Sequence, residues 1–272
     1  MATAPSPSPS YETIRVHRLD DVVRIDLHRP DTLNAVNVQL ARELNDELES
    51  IAGDRTVGSV VLTGAGRAFS SGFDLKDGGL PLRESGRPDT GWGLRNVFHP
   101  LVLTLREMPQ PVVAAVNGVA AGIGCSYALA CDIVLAARSA SFLLAFVNVG
   151  LVPDGGATVL VPARAGVGRG LEMSLLGEKV SAEEALGWGL VNRVEDDASL
   201  LPAATEIAKR LAAGPPQAQA DIKRILNAPY LGQLKAALEL EAETQSRRSD
   251  SHEAAEAIQA FLEKRRPQYR SP

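Results

Sequence analysis

Three stretches of the 272-residue chain combine residue types that could do chemistry. In LVPDGGA (Leu151 to Ala157) a single carboxylate, Asp154, closes an almost wholly apolar run, SFLLAFVNVG (Ser141 to Gly150). An unpaired carboxylate in such surroundings is costly to ionise and keeps its proton to a raised pKa. Asp154 is therefore either a turn residue capping the helix that GGATVL begins, or an acid/base group facing a substrate. The other two stretches, AFSSGFDLKD (Ala68 to Asp77) and NGVAAGIGCS (Asn117 to Ser126), each follow a short buried strand and lead into a predicted helix. The first N–H groups of a helix have no intrahelical partners, and the dipole there favours negative charge, so two such loops facing one another could hold an oxyanion. Small residues also serve strand-to-helix packing alone. Neither loop binds phosphate in a known pattern: GxxxxGKS/T is absent, as is GxGxxG with an acidic residue about twenty positions on.

These groups need a scaffold. TIRVHRL (Thr13 to Leu19) and VVRIDLH (Val22 to His28) alternate apolar with polar residues and predict a hairpin with one wet face. Leu40, Leu44, Leu48 and Ile51 recur at helical spacing, as do Leu94, Phe98, Leu101 and Leu105. SVVLTG (Ser59 to Gly64), PVVAAV (Pro111 to Val116) and DIVLAA (Asp132 to Ala137) read as buried strands, and CSYALA as a small-residue helix. Strands separated by helices imply right-handed crossovers and an α/β core. From Gly166 onward the pattern is almost all helical, with a capping box at Ser181 to Glu184. One short extended piece, GLVNRV (Gly189 to Val194), precedes three amphipathic helices; the last, from about Ser251, is expected to pack through Ala255, Ile258 and Leu262.

Composition sets the frame. Apolar residues at 45% and charged residues at 22% suit a globular chain, forming one large domain or one with a helical appendage. A net charge of −5 argues against general nucleic-acid affinity, although EKRRPQYR (Glu263 to Arg270) forms a local basic patch. No apolar run spans a bilayer, and MATAPSPSPS lacks the basic and apolar parts of a secretory signal, so a cytoplasmic protein is expected, with residues 1–10 disordered. Cys125 and Cys131 are too few for a disulfide framework or a zinc site and read as small buried side chains. His17, His28 and His252 fall on surfaces by pattern.

Taken in order, RPDTLNAVN, AFSSGFDL, PVVAAVNGVAAGIG, GLVPDGGAT and SAEEALGWGLVNRV resemble the crotonase superfamily of enoyl-CoA hydratases and isomerases, from about Ile14 to Arg266. The resemblance implies an α/β fold, a ClpP/crotonase-like spiral of ββα units over residues 11–200, with a helical trimerisation region over 201–272. It also implies an acyl-CoA substrate, a homotrimer or a hexamer made of two trimers, and no membrane or nucleic-acid partner. No metal and no cofactor are implied, coenzyme A being part of the substrate. By motif position the two N–H groups that bind the thioester oxygen are those of Phe73, after Gly72, and Ile123, where the family usually has glycine.

Hydrating relatives rely on two glutamates; this chain has Ser126 and Phe146 there. Asp154 matches the lone acid of relatives that shift a double bond, a reaction for which one base is sufficient. Phe146, Val149, Leu151 and Val152 are expected to raise its pKa and exclude water. In an alternative reading, Asp154 is the nucleophile and His99 the base of a reaction like that of 4-chlorobenzoyl-CoA dehalogenase; a non-catalytic CoA- or RNA-binding member is a further alternative. The resemblance puts adenine at the backbone of Ala68 and Ser70, pantetheine along Phe73, Asp74, Leu75 and Lys76, the acyl group near Phe146, and the CoA phosphates at Lys264. The loop Gly78 to Thr90 is expected to be mobile and to close on the acyl group. Trp92, Val97, Phe98 and Leu101 after it line the acyl pocket or pack in the core.

Overall fold

A computed structural model describes residues 11–84 and 86–269; the tail expected to be disordered, residues 1–10, lies outside the described residues. The hairpin forms as the alternation requires: β1 (Ile14–Leu19) pairs antiparallel with β2 (Val22–Leu27), Leu19 opposite Val22. Beyond β2, four strands add in parallel, β3 (Ser59–Gly64), β5 (Val112–Val116), β7 (Ile133–Ala137) and β10 (Arg193–Glu195), giving the order β1-β2-β3-β5-β7-β10. Every residue of β3 and β5 is buried, which explains why those segments are apolar without alternation.

A second, four-stranded sheet runs β4 (Ala68–Ser70), β6 (Val119–Ala121), β8 (Ser141–Leu143) and β9 (Val180–Ser181). Each of three successive turns of chain gives one strand to each sheet: β3 then β4, β5 then β6, β7 then β8. A helix follows each pair, so the chain winds as a spiral of ββα units. After β4 the helical segments are α2 (Thr90–Gly93), a π turn (Leu94–Phe98) and α3 (His99–Glu107). After β6 comes α4 (Ile123–Ala130), buried along its whole length as its small residues allow. After β8 come a 3-10 turn (Ala145–Val149) and α5 (Ala157–Leu176), which breaks at Gly166. The first helix, α1 (Val38–Gly53), buries the Leu40, Leu44, Leu48 and Ile51 stripe and is capped by Asn37, whose side chain accepts the Leu40 N–H at 2.9 Å.

The capping box opens α6 (Ala182–Gly187), with Ser181 and Glu184 each accepting the other's backbone N–H. Among the described residues three more helices follow: α7 (Leu200–Ala212), α8 (Pro216–Ser249) and α9 (His252–Leu262). Two differ from the sequence reading. α7, grouped there with the C-terminal helices, lies on the six-stranded sheet against β3 and β5, and Ser59 Oγ donates to its Ala208 carbonyl at 2.8 Å. α9 turns Ala254, Ala257 and Ala260 inward and leaves Ala255 and Leu262 exposed, with Ala254 set close against Gly150. No helix among the described residues is long and apolar enough to cross a membrane.

Candidate active site

The loop after β4 is built to free one N–H. Gly72 adopts φ +94°, and a Cβ there would sit 2.9 Å from the Ala121 carbonyl oxygen, so the position needs glycine both for its torsion and for its proximity to the neighbouring loop. The Gly72 carbonyl accepts from Val36 N–H at 2.7 Å and the Asp74 N–H donates to the Val36 carbonyl at 2.9 Å. Phe73, between them, points its N–H the other way. Asp74 then fixes the next turn of the chain: Oδ1 accepts the N–H groups of Lys76 and Asp77, and Oδ2 pairs with Arg29 at 2.9 Å. Burial opposes its ionisation, but those two N–H groups and the guanidinium hold the Asp74 carboxyl below the usual range. Asp74, expected along the pantetheine, is thus a buried brace for the loop.

In the second loop Gly122 takes φ 50°, ψ −129°, and Ile123 is the first residue of α4. Neither the Phe73 nor the Ile123 N–H has an acceptor among the described residues. Both residues line one cavity of about 260 Å³, and Asp154 lines it with them. Its walls are apolar, with Leu75, Leu94, Phe98, Phe146, Leu151 and Phe261 prominent. Phe98 meets Phe73 edge-on, ring centroids 5.7 Å apart.

Asp154 is 6% exposed. Its backbone carbonyl accepts the Ser126 hydroxyl at 2.7 Å, its Oδ2 accepts from Gln245 Nε2 at 2.8 Å, and its Oδ1 is buried without a partner. Burial, then the nearby Glu241 carboxylate, pushes the Asp154 carboxyl up to about 8, with the Gln245 amide pulling in the other direction. The capping alternative does not describe this side chain, because the N-terminus of α5 is capped from α8. Glu241 accepts the N–H groups of Gly156 at 2.9 Å and Thr158 at 3.2 Å, together with the Thr158 hydroxyl. Burial raises Glu241 as well, against those three donors.

The other expected site residues are distributed unevenly. Leu75 and Phe146 line the cavity; Lys76 is exposed. Ala68 and Ser70 are fully buried, closed off from the cavity: the Ala68 carbonyl accepts from Asn34 at 2.8 Å and the Ser70 hydroxyl donates to the Asn34 carbonyl. The cavity instead meets their neighbour Ser71. Phe98 lines the cavity, whereas Val97 and Leu101 belong to the core. Lys264 is exposed just beyond α9 with φ 56°, and next to it Arg265 folds back onto Glu256 and Glu263.

His99 is buried at the start of α3 and does not line the cavity. Its Nε2 lies 3.8 Å from Glu241 Oε2, beyond hydrogen-bond reach, and has no partner. Burial pushes the imidazole down to about 4, with Glu239 raising and Arg95 lowering it, so it is neutral near pH 7.

The described residues of the loop expected to be mobile make contacts within the loop and with α8. Leu82 bridges Pro88, and Arg83 reaches Asp89, Asp250 and the Ser246 hydroxyl, tying the loop to α8; Leu80 and Thr90 at its ends line the cavity. Sequence reasoning passed over Gln245 and Glu241. The available signal was two polar residues continuing the buried Leu234, Leu238 and Ala242 stripe of one helix.

The match to known proteins agrees with this architecture. Residues 18–272 match the family model described as enoyl-CoA hydratase/isomerase. A 1,2-epoxyphenylacetyl-CoA isomerase from Escherichia coli (strain K12) is 40% identical over 258 residues, 95% of this chain and 98% of that protein. A 4-chlorobenzoyl coenzyme A dehalogenase from an Arthrobacter species is 35% identical over 79% of this chain and 78% of its own length. Among solved structures, an enoyl-CoA hydratase from Mycobacterium avium subsp. paratuberculosis K-10 is 37% identical, with TM-score 0.85 over 96% of this chain and all of that one. The chain belongs to the enoyl-CoA hydratase/isomerase family, the crotonases, whose members process acyl-CoA thioesters.

Proposed function

We propose that this protein is an isomerase that shifts the double bond of a 3-enoyl-CoA to the 2-position, with Asp154 as its single base. The observation that carries the reading is that Asp154 is the one ionisable side chain, among the described residues, lining the cavity that also holds Phe73 and Ile123. The thioester oxygen sits between the Phe73 and Ile123 N–H groups. Asp154 takes the C2 proton, and the electron pair left behind spreads over the thioester oxygen and the 3,4 double bond. The protonated Asp154 then returns the proton at C4, the double bond forms between C2 and C3, and the enzyme ends as it began. Donors aimed at an enolate oxygen are worth about 10²- to 10³-fold each in rate. Hydration is disfavoured because Ser126 and Phe146 occupy the glutamate positions, and a dehalogenase-type reaction because His99 does not line the cavity.

Lys264, exposed, is assigned to the CoA phosphates and Lys76, also exposed, to the pantetheine path, so CoA affinity should fall with salt. A trimer or hexamer belongs to the same reading, supported by exposed apolar residues on α5 and α8, Val167, Leu171, Leu175, Ile222 and Leu226 among them. Light scattering tests it.

The deciding experiment incubates wild type and Asp154→Asn with 3-enoyl-, 2-enoyl- and aryl-CoA thioesters, products being identified by mass and NMR. The panel includes 1,2-epoxyphenylacetyl-CoA, the substrate named for the Escherichia coli relative, because Phe73, Phe98, Phe146 and Phe261 could face a ring. Wild type should isomerise 3-enoyl-CoA and the variant should not, with CoA binding intact. Normal turnover by Asp154→Asn, or chloride release from 4-chlorobenzoyl-CoA, would overturn the assignment.

A further inference from the structure

Gln245 sits on α8, 3% exposed, with its amide between the Val152 backbone and the Asp154 carboxylate. Its Oε1 accepts the Val152 N–H at 3.1 Å. That contact fixes the amide's orientation, because the nitrogen must then face the other way, and Nε2 donates to Asp154 Oδ2 at 2.8 Å and to the Val152 carbonyl at 3.1 Å. Oδ2 is thereby occupied, while Oδ1 stays buried and unpartnered beside the cavity.

We propose that Gln245 is a positioning residue: it fastens Asp154 Oδ2 so that Oδ1 alone moves the proton between C2 and C4. This rests on the reading of Asp154 as the base. A carboxylate that could rotate would offer either oxygen to either carbon; one held by a planar amide presents one lone pair in one direction.

The anchor is itself anchored. One turn earlier on α8, Glu241 caps α5 through Gly156 and Thr158; one residue later, Ser246 accepts from Arg83 of the loop bordering the cavity at 2.8 Å. The same helix therefore holds the base and the wall against which an acyl group would lie. The titratable groups around Asp154 are Glu241 from α8 and Tyr127 from α4, with His99 from α3 behind Glu241. An N–H donated to Oδ2 favours the ionised base over the protonated form, so its removal should move the titration upward.

The test uses the whole chain. Gln245→Met keeps the volume and removes the donors; Gln245→Glu keeps the shape and, while protonated, keeps a donor to Oδ2. The Asp154 carboxyl is followed by 13C NMR, its resonance identified by its loss in Asp154→Asn, and kcat and KM are measured against pH with a 3-enoyl-CoA. In Gln245→Met the Asp154 titration and the rising limb of kcat should both move up by about one pH unit or more, with KM changed about twofold at most. Gln245→Glu should recover activity over Gln245→Met at low pH and lose that advantage as the glutamate ionises. If Gln245→Met does not fold, the Gln245→Glu profile decides alone, and a wild-type profile in it overturns the proposal. An Asp154 titration unchanged in Gln245→Met overturns it too. Full activity in Asp154→Asn would instead sink the base assignment, and the NMR titration would still report whether Gln245 holds the carboxylate.

Discussion

The Ser126 hydroxyl donates to the backbone carbonyl of Asp154 at 2.7 Å. Hydrating relatives place a glutamate at the position of Ser126; here a short side chain reaches across to the turn that carries the acid. Gly155, next along, would meet Ser126 Cβ at 2.9 Å if it had a Cβ, so the two segments are in contact.

Ser126→Ala should therefore destabilise the protein by about 1 kcal/mol, the usual worth of such a hydrogen bond. It should also lower kcat without altering CoA affinity. Chemical denaturation and steady-state kinetics measure both; unchanged stability and unchanged kcat would show that the hydroxyl does not steady the turn.

The pH dependence follows from the raised Asp154 pKa. Below about 8 the free enzyme holds this group protonated, unable to accept a proton. Isomerisation kcat/KM should rise about tenfold per pH unit up to that region and then level. A profile flat from pH 6 to 9 contradicts a base of this kind, with both limits chosen as about two units below and one above it.

The same group governs stability with the opposite sense. The folded state keeps the Asp154 proton up to about 8, whereas the unfolded chain releases it near the ordinary 3.8. Across that window the native state binds more protons, so stability is lost as pH rises through it. Asp154→Asn removes this dependence and should be stabilising at pH 8, by on the order of a few kcal/mol, and nearly neutral at pH 4. Thermal melts of both proteins across that range measure it; an equal gap at the two ends would contradict the burial argument.

Gly122→Ala tests the oxyanion site proposed for the Phe73 and Ile123 N–H groups. A Cβ there has room, its nearest neighbour being Phe146 Cζ at 3.7 Å, but φ 50°, ψ −129° is a region that L side chains avoid. Holding alanine in such a conformation costs on the order of 1–3 kcal/mol, so the peptide relaxes and the Ile123 N–H turns away. kcat should fall about 10²- to 10³-fold while the Asp154 titration stays in place. A variant with normal turnover would remove Ile123 from the oxyanion role.

Much of this architecture is legible in the order of the amino acids. The alternation of β1 and β2 and the leucine stripe of α1 follow from a local period, and β3, β5 and β7 from short unbroken apolar runs. Asp154 stands out because a carboxylate is conspicuous among apolar neighbours. The three-residue strands β4, β6 and β8 are not legible, being too short to show a period of two. Gln245 and Glu241 are hidden for a different reason: they meet Asp154 and Gly156 across 91 and 85 residues, and no local spacing encodes such a contact. Ala68 and Ser70 are buried and outside the lining of the cavity, which a motif position alone does not reveal.

Gly150 closes the 3-10 turn before Leu151 at φ 70°, and a Cβ on it would lie 2.8 Å from Ala254 Cα in α9. That turn supplies Phe146 to the cavity, and α9 supplies Phe261. The turn and the helix are therefore in direct contact, and two walls of the cavity meet through Gly150 and Ala254. Exchanging residues 252–262 between relatives should then change the wall that Phe261 supplies while leaving Asp154 and the Phe73 and Ile123 N–H groups on segments of their own.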